Sequence, residues 1–338
     1  MSTQRKLKIG IMSFAHLHGA GYAGLLANWP DVELRVADDD PERGKRIADR
    51  FGVTCAPSYA ELLAWKPDGV IVCSENSRHR ELTEQAAAAG AHVLSEKPLA
   101  TSLADGRAMI EACEAAGVRL MTAFPMRFSQ PVIAAVRIAQ EGKLGTIHGI
   151  AATNPGTMPG SWFVDPELAG GGAVMDHTVH VADVMRWLLG SEAVEVYAQT
   201  NRILYPDLPV ETAGTLAVTF ANGTVATIDC SWSRPNSYPT WGGVTLELVG
   251  DEGVISVDAF AQVLASYSDG PGRTGGQDVR WLPWGDDPNA GMLREFLSAI
   301  REDRAPVPSG WDGYRATEIA LAAYRSVEAG QPVPISTE

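Results

Sequence analysis

The first third of the chain alternates short apolar runs with amphipathic segments, and this alternation restricts the fold more than any other feature. Leu7–Ser13, Val32–Ala37, Gly69–Cys73, His92–Ser95 and Arg119–Ala123 read as strands. Gly19–Ala27, Pro41–Phe51, Tyr59–Ala64, Arg80–Ala89 and Leu103–Ala116 read as the helices between them. Strands separated by helices of this length build βαβ units and a parallel sheet. Right-handed crossovers then place helices on both faces. Pro41, after Asp40, suits the first position of a helix, and Gly90 and Gly117 end two others. Residues 1–125 are therefore expected to form one doubly wound domain.

Residues 126–338 change character. Helices are expected from Gln130 and from about Ala173, followed by the β-rich runs Ala193–Arg202, Thr212–Phe220, Thr224–Trp232, Gly243–Val249, Gly253–Val257 and Val263–Tyr267. Ala221-Asn222-Gly223 and Asp251-Glu252-Gly253 are hairpin signals. Helices Asn289–Ile300 and Trp311–Glu328 close the chain. This half reads as an α+β domain with a large, mostly antiparallel open sheet.

Composition narrows the partners. The 338 residues carry a formal net charge of −14 and 45% hydrophobic residues. Nucleic-acid binding through phosphates needs a basic stripe, and none is present. An acidic surface also disfavours anionic membranes. No apolar run is long enough to span a bilayer, and no secretory leader is apparent. Cys55, Cys73, Cys113 and Cys230 are too scattered for a zinc or disulfide framework. A cytoplasmic protein with reduced thiols is expected.

The loop after the first strand reads Ser13-Phe14-Ala15-His16-Leu17-His18-Gly19. A dinucleotide-binding turn would place glycine at three of these positions, where Ser13, Ala15 and His18 stand instead. Ser and Ala are small but less permissive in φ, so this loop alone leaves a nucleotide turn and an ordinary turn equally open. His16 and His18 read as locally hydrogen-bonded or solvated. Asp38, at the end of the second strand, is the candidate ligand for an adenosine ribose. With Asp39 and Asp40 it would repel a 2′-phosphate, which favours NAD over NADP. Asp40 reads as the cap of the following helix.

His92-Val93-Leu94-Ser95-Glu96-Lys97-Pro98-Leu99-Ala100 resembles the Glu-Lys-Pro signature of the glucose–fructose oxidoreductase/inositol dehydrogenase/rhizopine catabolism (Gfo/Idh/MocA) family. Ser74-Glu75-Asn76-Ser77-Arg78-His79 stands where that family has Thr-Pro-Asn-x-x-His. Gly170-Gly171-Gly172-Ala173-Val174-Met175-Asp176-His177-Thr178-Val179-His180 is similar to its Gly-Gly-Gly…Asp-x-x-x-His segment, and Arg127-Phe128 and Gly142-Lys143-Leu144-Gly145 also fit. The resemblance runs from about residue 7 to 190. It implies an N-terminal Rossmann domain that binds NAD and a sugar, polyol or inositol substrate, within a homodimer or homotetramer. It further implies that Phe14–Leu17 contact the pyrophosphate, that Asn76 and Glu96 lie near the nicotinamide side, that Ser13, Ser74, His79 and Lys97 also bind cofactor, and that Arg127 and Trp162 are candidate substrate contacts, with Arg127 alternatively a structural residue closing the domain interface.

The helix from Ala173 adds a physical argument. At 100° per residue Val174, Val181, Val184, Met185 and Leu188 share one face, and Asp176, His180 and Asp183 the opposite one. Asp176 and His180 are neighbours at i, i+4, so the carboxylate is expected to orient the imidazole. The preceding glycines would let a ligand approach the helix start. His177 falls with the apolar face and reads as a core residue. Lys97, at the carboxyl end of a parallel strand, lies where ligands bind in such sheets. Together these residues imply an NAD-dependent oxidoreductase in which His180 takes a hydroxyl proton, Lys97 stabilises the oxygen and Asp176 orients His180. The alternatives are an NAD-assisted glycoside-cleaving enzyme using the same residues and a non-catalytic NAD-binding regulator. A metal site on His177 and His180 is disfavoured, because their side chains diverge by about 60°.

Overall fold

The structure is a computed structural model that describes residues 5–269 and 277–335; residues 1–4, at the polar start of the chain, and 336–338 lie outside it. The first half runs β1 (Leu7–Met12), α1 (His18–Leu26), β2 (Val32–Ala37), α2 (Pro41–Phe51), β3 (Thr54–Cys55), α3 (Tyr59–Ala64), β4 (Gly69–Val72), α4 (His79–Ala88), β5 (His92–Ser95), α5 (Leu103–Ala115) and β6 (Leu120–Thr122). The strands form one parallel sheet in the order β3-β2-β1-β4-β5-β6. Chain order reverses between β1 and β4, which opens a crevice at their carboxyl ends. Buried Ile9, Ile11, Val70, Ile71, Val72, Val93 and Leu94 fill both faces, as a doubly covered sheet requires. Local chemistry sets the helix starts: Asp40 caps α2 through the amides of Glu42 and Arg43, and Ser58 and Ser102 cap α3 and α5.

The second half runs α6 (Gln130–Gln140), β7 (Ile147–Thr153), α7 (Pro166–Ala169), α8 (Ala173–Leu189), β8 (Ala193–Asn201), β9 (Ala213–Phe220), β10 (Val225–Asp229), β11 (Thr245–Gly250), β12 (Val254–Asp258), β13 (Val263–Asp269), β14 (Gln277–Pro283), α9 (Pro288–Glu302), α10 (Gly310–Ala329) and β15 (Val333–Pro334). Seven strands make a sheet in the order β12-β11-β7-β10-β9-β8-β15, and β13 pairs with β14 alone. The sheet is antiparallel except where β7 meets β10 in parallel. The sequence pattern missed β7, although it lies in mid-sheet. Ile147-His148-Gly149-Ile150-Ala151-Ala152-Thr153 has few large apolar residues, and its buried side is completed by small Ala152 beside Ile150.

Helices α6, α8 and α10 cover one face of this sheet with Val132, Val136, Val179, Val184, Ile319 and Ala320. Helix α9 crosses back: its Met292, Leu293, Phe296 and Leu297 pack with Ile11 and Ile71 of the first sheet and Tyr22 of α1. A division at residues 125 and 126 thus leaves within the second segment a helix that belongs to the core of the first.

Candidate active site

The loop after β1 keeps a tight turn without its glycines. Ser13 holds φ at 70°, a left-handed conformation that costs a non-glycine residue about 1–2 kcal/mol. Its amide is fixed by Ala37 O, and its hydroxyl accepts the Ala15 amide at 3.2 Å. Gly19, not residue 18, provides the close helix packing: a Cβ there would meet Phe14 at 3.0 Å and Cys73 at 3.2 Å. Trp162, from the second half, donates its indole N–H to Ala15 O at 3.0 Å and stacks on Phe163 at 3.9 Å. This segment covers the loop, while Leu17 stays exposed.

Asp38 sits at the β2 end as expected, but its carboxylate is fully enclosed. It accepts the Phe14 amide at 2.8 Å and the Asp40 amide at 2.8 Å, and it binds the Arg43 guanidinium in fork geometry at 2.8 and 2.7 Å. Burial pushes its pKa above the ordinary Asp value, against the pull of Arg43. Asp39 pairs with Arg78 and Arg43; despite partial burial, the Arg78 contact holds it at about 2. The three-carboxylate cluster is therefore largely neutralised by two arginines that periodicity did not single out.

Ser74 donates to Glu75 O, and Asn76 Nδ2 donates to Ala169 O at 2.9 Å, leaving Asn76 Oδ1 buried without a partner among the described residues. His79 Nδ1 donates to Pro98 O at 3.0 Å and so braces the Glu96–Pro98 turn. Glu96 has no exposed side chain. It faces His18 Nδ1 at 3.1 Å and His16 Nε2 at 3.9 Å.

Lys97 leaves β5 almost wholly buried, and its Nζ lies 2.7 Å from Asp176 Oδ1 on α8. Asp176 Oδ2 accepts the Trp232 indole N–H at 3.2 Å and has His177 Nε2 3.1 Å away, off the line of a hydrogen bond. Burial opposes ionisation of Asp176, but Lys97 and His177 outweigh it and hold its pKa well below the ordinary value. The expected Asp176–His180 hydrogen bond is absent among the described residues. The i, i+4 spacing brings the two residues near, but a cation from the facing domain is the stronger partner for the carboxylate. His180 instead has a buried, unpartnered Nδ1 and a T-shaped contact with Phe124 at 6.1 Å. Burial, with Lys97 and His177 nearby, pushes its pKa far below the ordinary value, so its ring is neutral.

Lys97, His180, His177, His18, Asn154 and Trp241 share a cavity of about 230 Å3 between the two halves. His177 is thus a wall residue rather than core. Helical period put it with the apolar face, and the neighbouring carboxylate, 3.1 Å away, gave no signal in that pattern. Asn154 and Trp241 belong to the loops Asn154–Trp162 and Arg234–Trp241, whose proline, glycine and aromatic content marked them in the sequence as the expected seat of substrate specificity, although neither residue was singled out there. Arg127 does not line the cavity. Its guanidinium is taken up by Asp183 at 2.8 and 2.6 Å and by Asp312 at 2.8 Å, so it braces α8 against α10 instead of contacting substrate. The glycines before α8 also differ from expectation. Added Cβ atoms at Gly171 and Gly172 would strike Tyr324 and the Glu211 backbone, so close packing, not ligand approach, requires them. Glu211 Oε1 accepts the amides of Gly172 and Val174 at 2.9 and 3.0 Å and the Tyr324 hydroxyl at 2.7 Å. It thereby caps a helix that has no cap of its own.

Comparison with known proteins accords with this arrangement. Residues 14–124 match the oxidoreductase family with an NAD-binding Rossmann fold, and residues 132–256 match the GFO/IDH/MocA C-terminal domain. The chain belongs to the Gfo/Idh/MocA oxidoreductase family. Among its Gfo/Idh/MocA relatives, a D-apiose dehydrogenase of Paraburkholderia graminis is 27% identical over 97% of this chain and 88% of its own length. A myo-inositol 2-dehydrogenase of Thermotoga maritima is 28% identical over 97% and 98%. The crystal structure of GenD2 from gentamicin A biosynthesis, in complex with NAD, superposes with a TM-score of 0.89 at 27% identity, covering 100% of this chain and 98% of that one.

Proposed function

We propose that this protein moves a hydride between NAD and a hydroxyl or keto carbon of a sugar-, polyol- or inositol-like substrate. The observation that carries the proposal is that Lys97, from the parallel-sheet half, and His180, from the partner half, open on one cavity. The carboxyl edge of the sheet fits a dinucleotide. Ser13 keeps the left-handed turn, the N-cap residue of α1, Leu17, offers no side-chain bond to the helix amides, and Asn76 Oδ1 is a buried acceptor awaiting a donor. Bound NAD supplies the hydride acceptor or donor. Phe14, Ala15, His16 and Leu17 form the turn that would meet the pyrophosphate; Ser74, Asn76, His79 and Glu96 build the neighbouring wall.

Lys97, fixed 2.7 Å from Asp176, hydrogen-bonds the substrate oxygen and stabilises its developing charge. His180, neutral in its buried setting, takes the hydroxyl proton on oxidation and returns it on reduction. Asp176 acts on Lys97, keeping the ammonium fixed in place. Lys97→Ala and His180→Ala are each expected to lower kcat by about 10²–10⁴-fold. Near wild-type turnover in both folded variants rules the assignment out.

Preference for NAD rests on Asp38. With Arg43 across it, the ribose end presents Asp38, Asp39 and Glu75 against Arg43 and Arg78, a balance that still favours hydroxyls over a 2′-phosphate. The uncovered face of the larger sheet supports a homodimer or homotetramer. Val254, Val249, Gly149 and Val225 stand in one cross-strand row, and the three valines are 58%, 44% and 49% exposed. A monomer in light scattering would exclude this assembly. Four free cysteines, three of them buried, accord with a cytoplasmic setting, and no helix among the described residues is long and apolar enough to cross a membrane.

A further inference from the structure

His18 stands where a dinucleotide turn would carry glycine, and its side chain enters the cavity that holds Lys97 and His180. Its Nδ1 lies 3.1 Å from Glu96 Oε1, with the Tyr22 hydroxyl 3.5 Å from the same nitrogen. Glu96 is completely buried. Burial opposes its charge, yet the facing His16, His18 and Lys97 hold its pKa well below the ordinary value. A carboxylate only accepts hydrogen bonds, so His18 Nδ1 carries a hydrogen, and in the neutral ring Nε2 is then the acceptor. Nε2 has no protein partner among the described residues, and a quarter of the side chain is exposed. The ring meets Trp241 edge-on at 6.2 Å across the cavity.

His16 is excluded from the same role. It is 1% exposed, and its Nδ1 accepts the His18 backbone N–H at 3.2 Å. Its Nε2 must then bear the hydrogen, which points toward Glu96. The same assignment disfavours a metal ion at this cluster, although the ligand atoms of His16, His18 and Glu96 lie within 4.8 Å of one another. A metal-binding nitrogen needs a free lone pair, and the amide facing Nδ1 removes it from Nε2.

We propose that His18, oriented by Glu96, accepts a hydrogen bond from a second hydroxyl of the substrate, distinct from the one held by Lys97 and His180. The site then selects a polyhydroxylated molecule over an isolated alcohol. This inference rests on the oxidoreductase reading above. A carboxylate behind an imidazole fixes both its tautomer and its direction. A substrate with hydrogen, methoxy or a ketone at the second position leaves Nε2 unpaired, and sites built to bond a hydroxyl reject analogues that lack it.

The experiment compares wild type, His18→Phe and His18→Gln in NADH formation over a panel of inositols, aldoses and anhydrosugars. The best substrate is then tested with its monodeoxy and mono-O-methyl analogues. His18→Phe, which keeps ring volume, should raise KM about tenfold, the worth of one hydrogen bond, with a smaller change in kcat. It should also erase the discrimination against the analogue altered at one particular position. His18→Gln, whose amide oxygen accepts, should restore part of that discrimination. Thermal midpoints and NADH fluorescence establish that both variants are folded and bind cofactor; if His18→Phe fails this check, the Gln variant alone must show reduced discrimination. Unchanged discrimination in the folded variants overturns the proposal and leaves the oxidoreductase reading standing. No turnover of any polyol, together with no calorimetric binding to the NADH-loaded wild type, overturns both.

Discussion

Replacing Lys97 by Met tests the pairing on which the site geometry depends. Lys97 and Asp176 are nearly inaccessible and 2.7 Å apart. Removing one partner of such a buried pair costs about 3–5 kcal/mol, because the other charge stays buried. Asp176 would retain the Trp232 N–H and the nearby His177, so the lower end, about 3 kcal/mol, is expected. At roughly 2–4 °C per kcal/mol this lowers Tm by about 6–12 °C. The loss should depend on pH. In wild type the folded pKa of Asp176 is depressed. Its stabilising contribution is therefore complete above the unfolded value of about 3.9 and is lost only as pH falls through the lower folded value. In Lys97→Met, burial prevails and raises the folded pKa of Asp176. The resulting penalty is absent below about pH 3.9 and grows as pH rises toward the new folded value. Urea unfolding at pH 4.5 and 7.5 should show the variant falling further behind wild type at the higher pH. The double variant Lys97→Met/Asp176→Asn removes the stranded charge and should recover most of the loss, with a gap that no longer changes with pH. An equal gap at both pH values, or a double variant as unstable as the two single losses combined, refutes the reasoning.

Three further outcomes follow from the geometry. Ser13→Gly relieves a left-handed backbone and should stabilise the protein by about 1 kcal/mol in urea unfolding, net of the lost hydroxyl bond to the Ala15 amide. Glu211→Ala removes the acceptor for two α8 amides and the Tyr324 hydroxyl; a loss of about 2–3 kcal/mol is expected, with kcat reduced because Asp176 and His180 ride on that helix. Asp38→Ala frees Arg43 and unpairs the Phe14 amide, so KM for NAD should rise about 10–100-fold while the NADP-to-NAD ratio of kcat/KM increases.

Much of the first half was legible because local signals agreed with one another. Buried strands, proline and serine at helix starts, and glycine at helix ends all marked the same boundaries, and β2, α2, α3 and β5 fall where periodicity put them. β7 was not legible, since its small residues give weak alternation and its place is set by β10 and β11 pairing on either side. The site divides in the same way. Lys97 and His180 were singled out by the family resemblance, with strand position and helix face in support. Partner choice was not legible, because it is settled between different elements of the fold. Asp176 turned from His180, four residues away, to Lys97, 79 positions away; Asp183 was claimed by Arg127 and Asp38 by Arg43. In each case a buried carboxylate found the cation that best offset its desolvation, and the cation came from another element or a later turn. His18 follows the same rule from the opposite side. Its misfit with a glycine pattern was visible from the start, but its meaning depends on the buried Glu96, which leaves the imidazole a lone pair facing the cavity. Where a fingerprint residue is replaced by one that carries chemistry, the buried group that now holds it indicates whether the position was lost or reassigned.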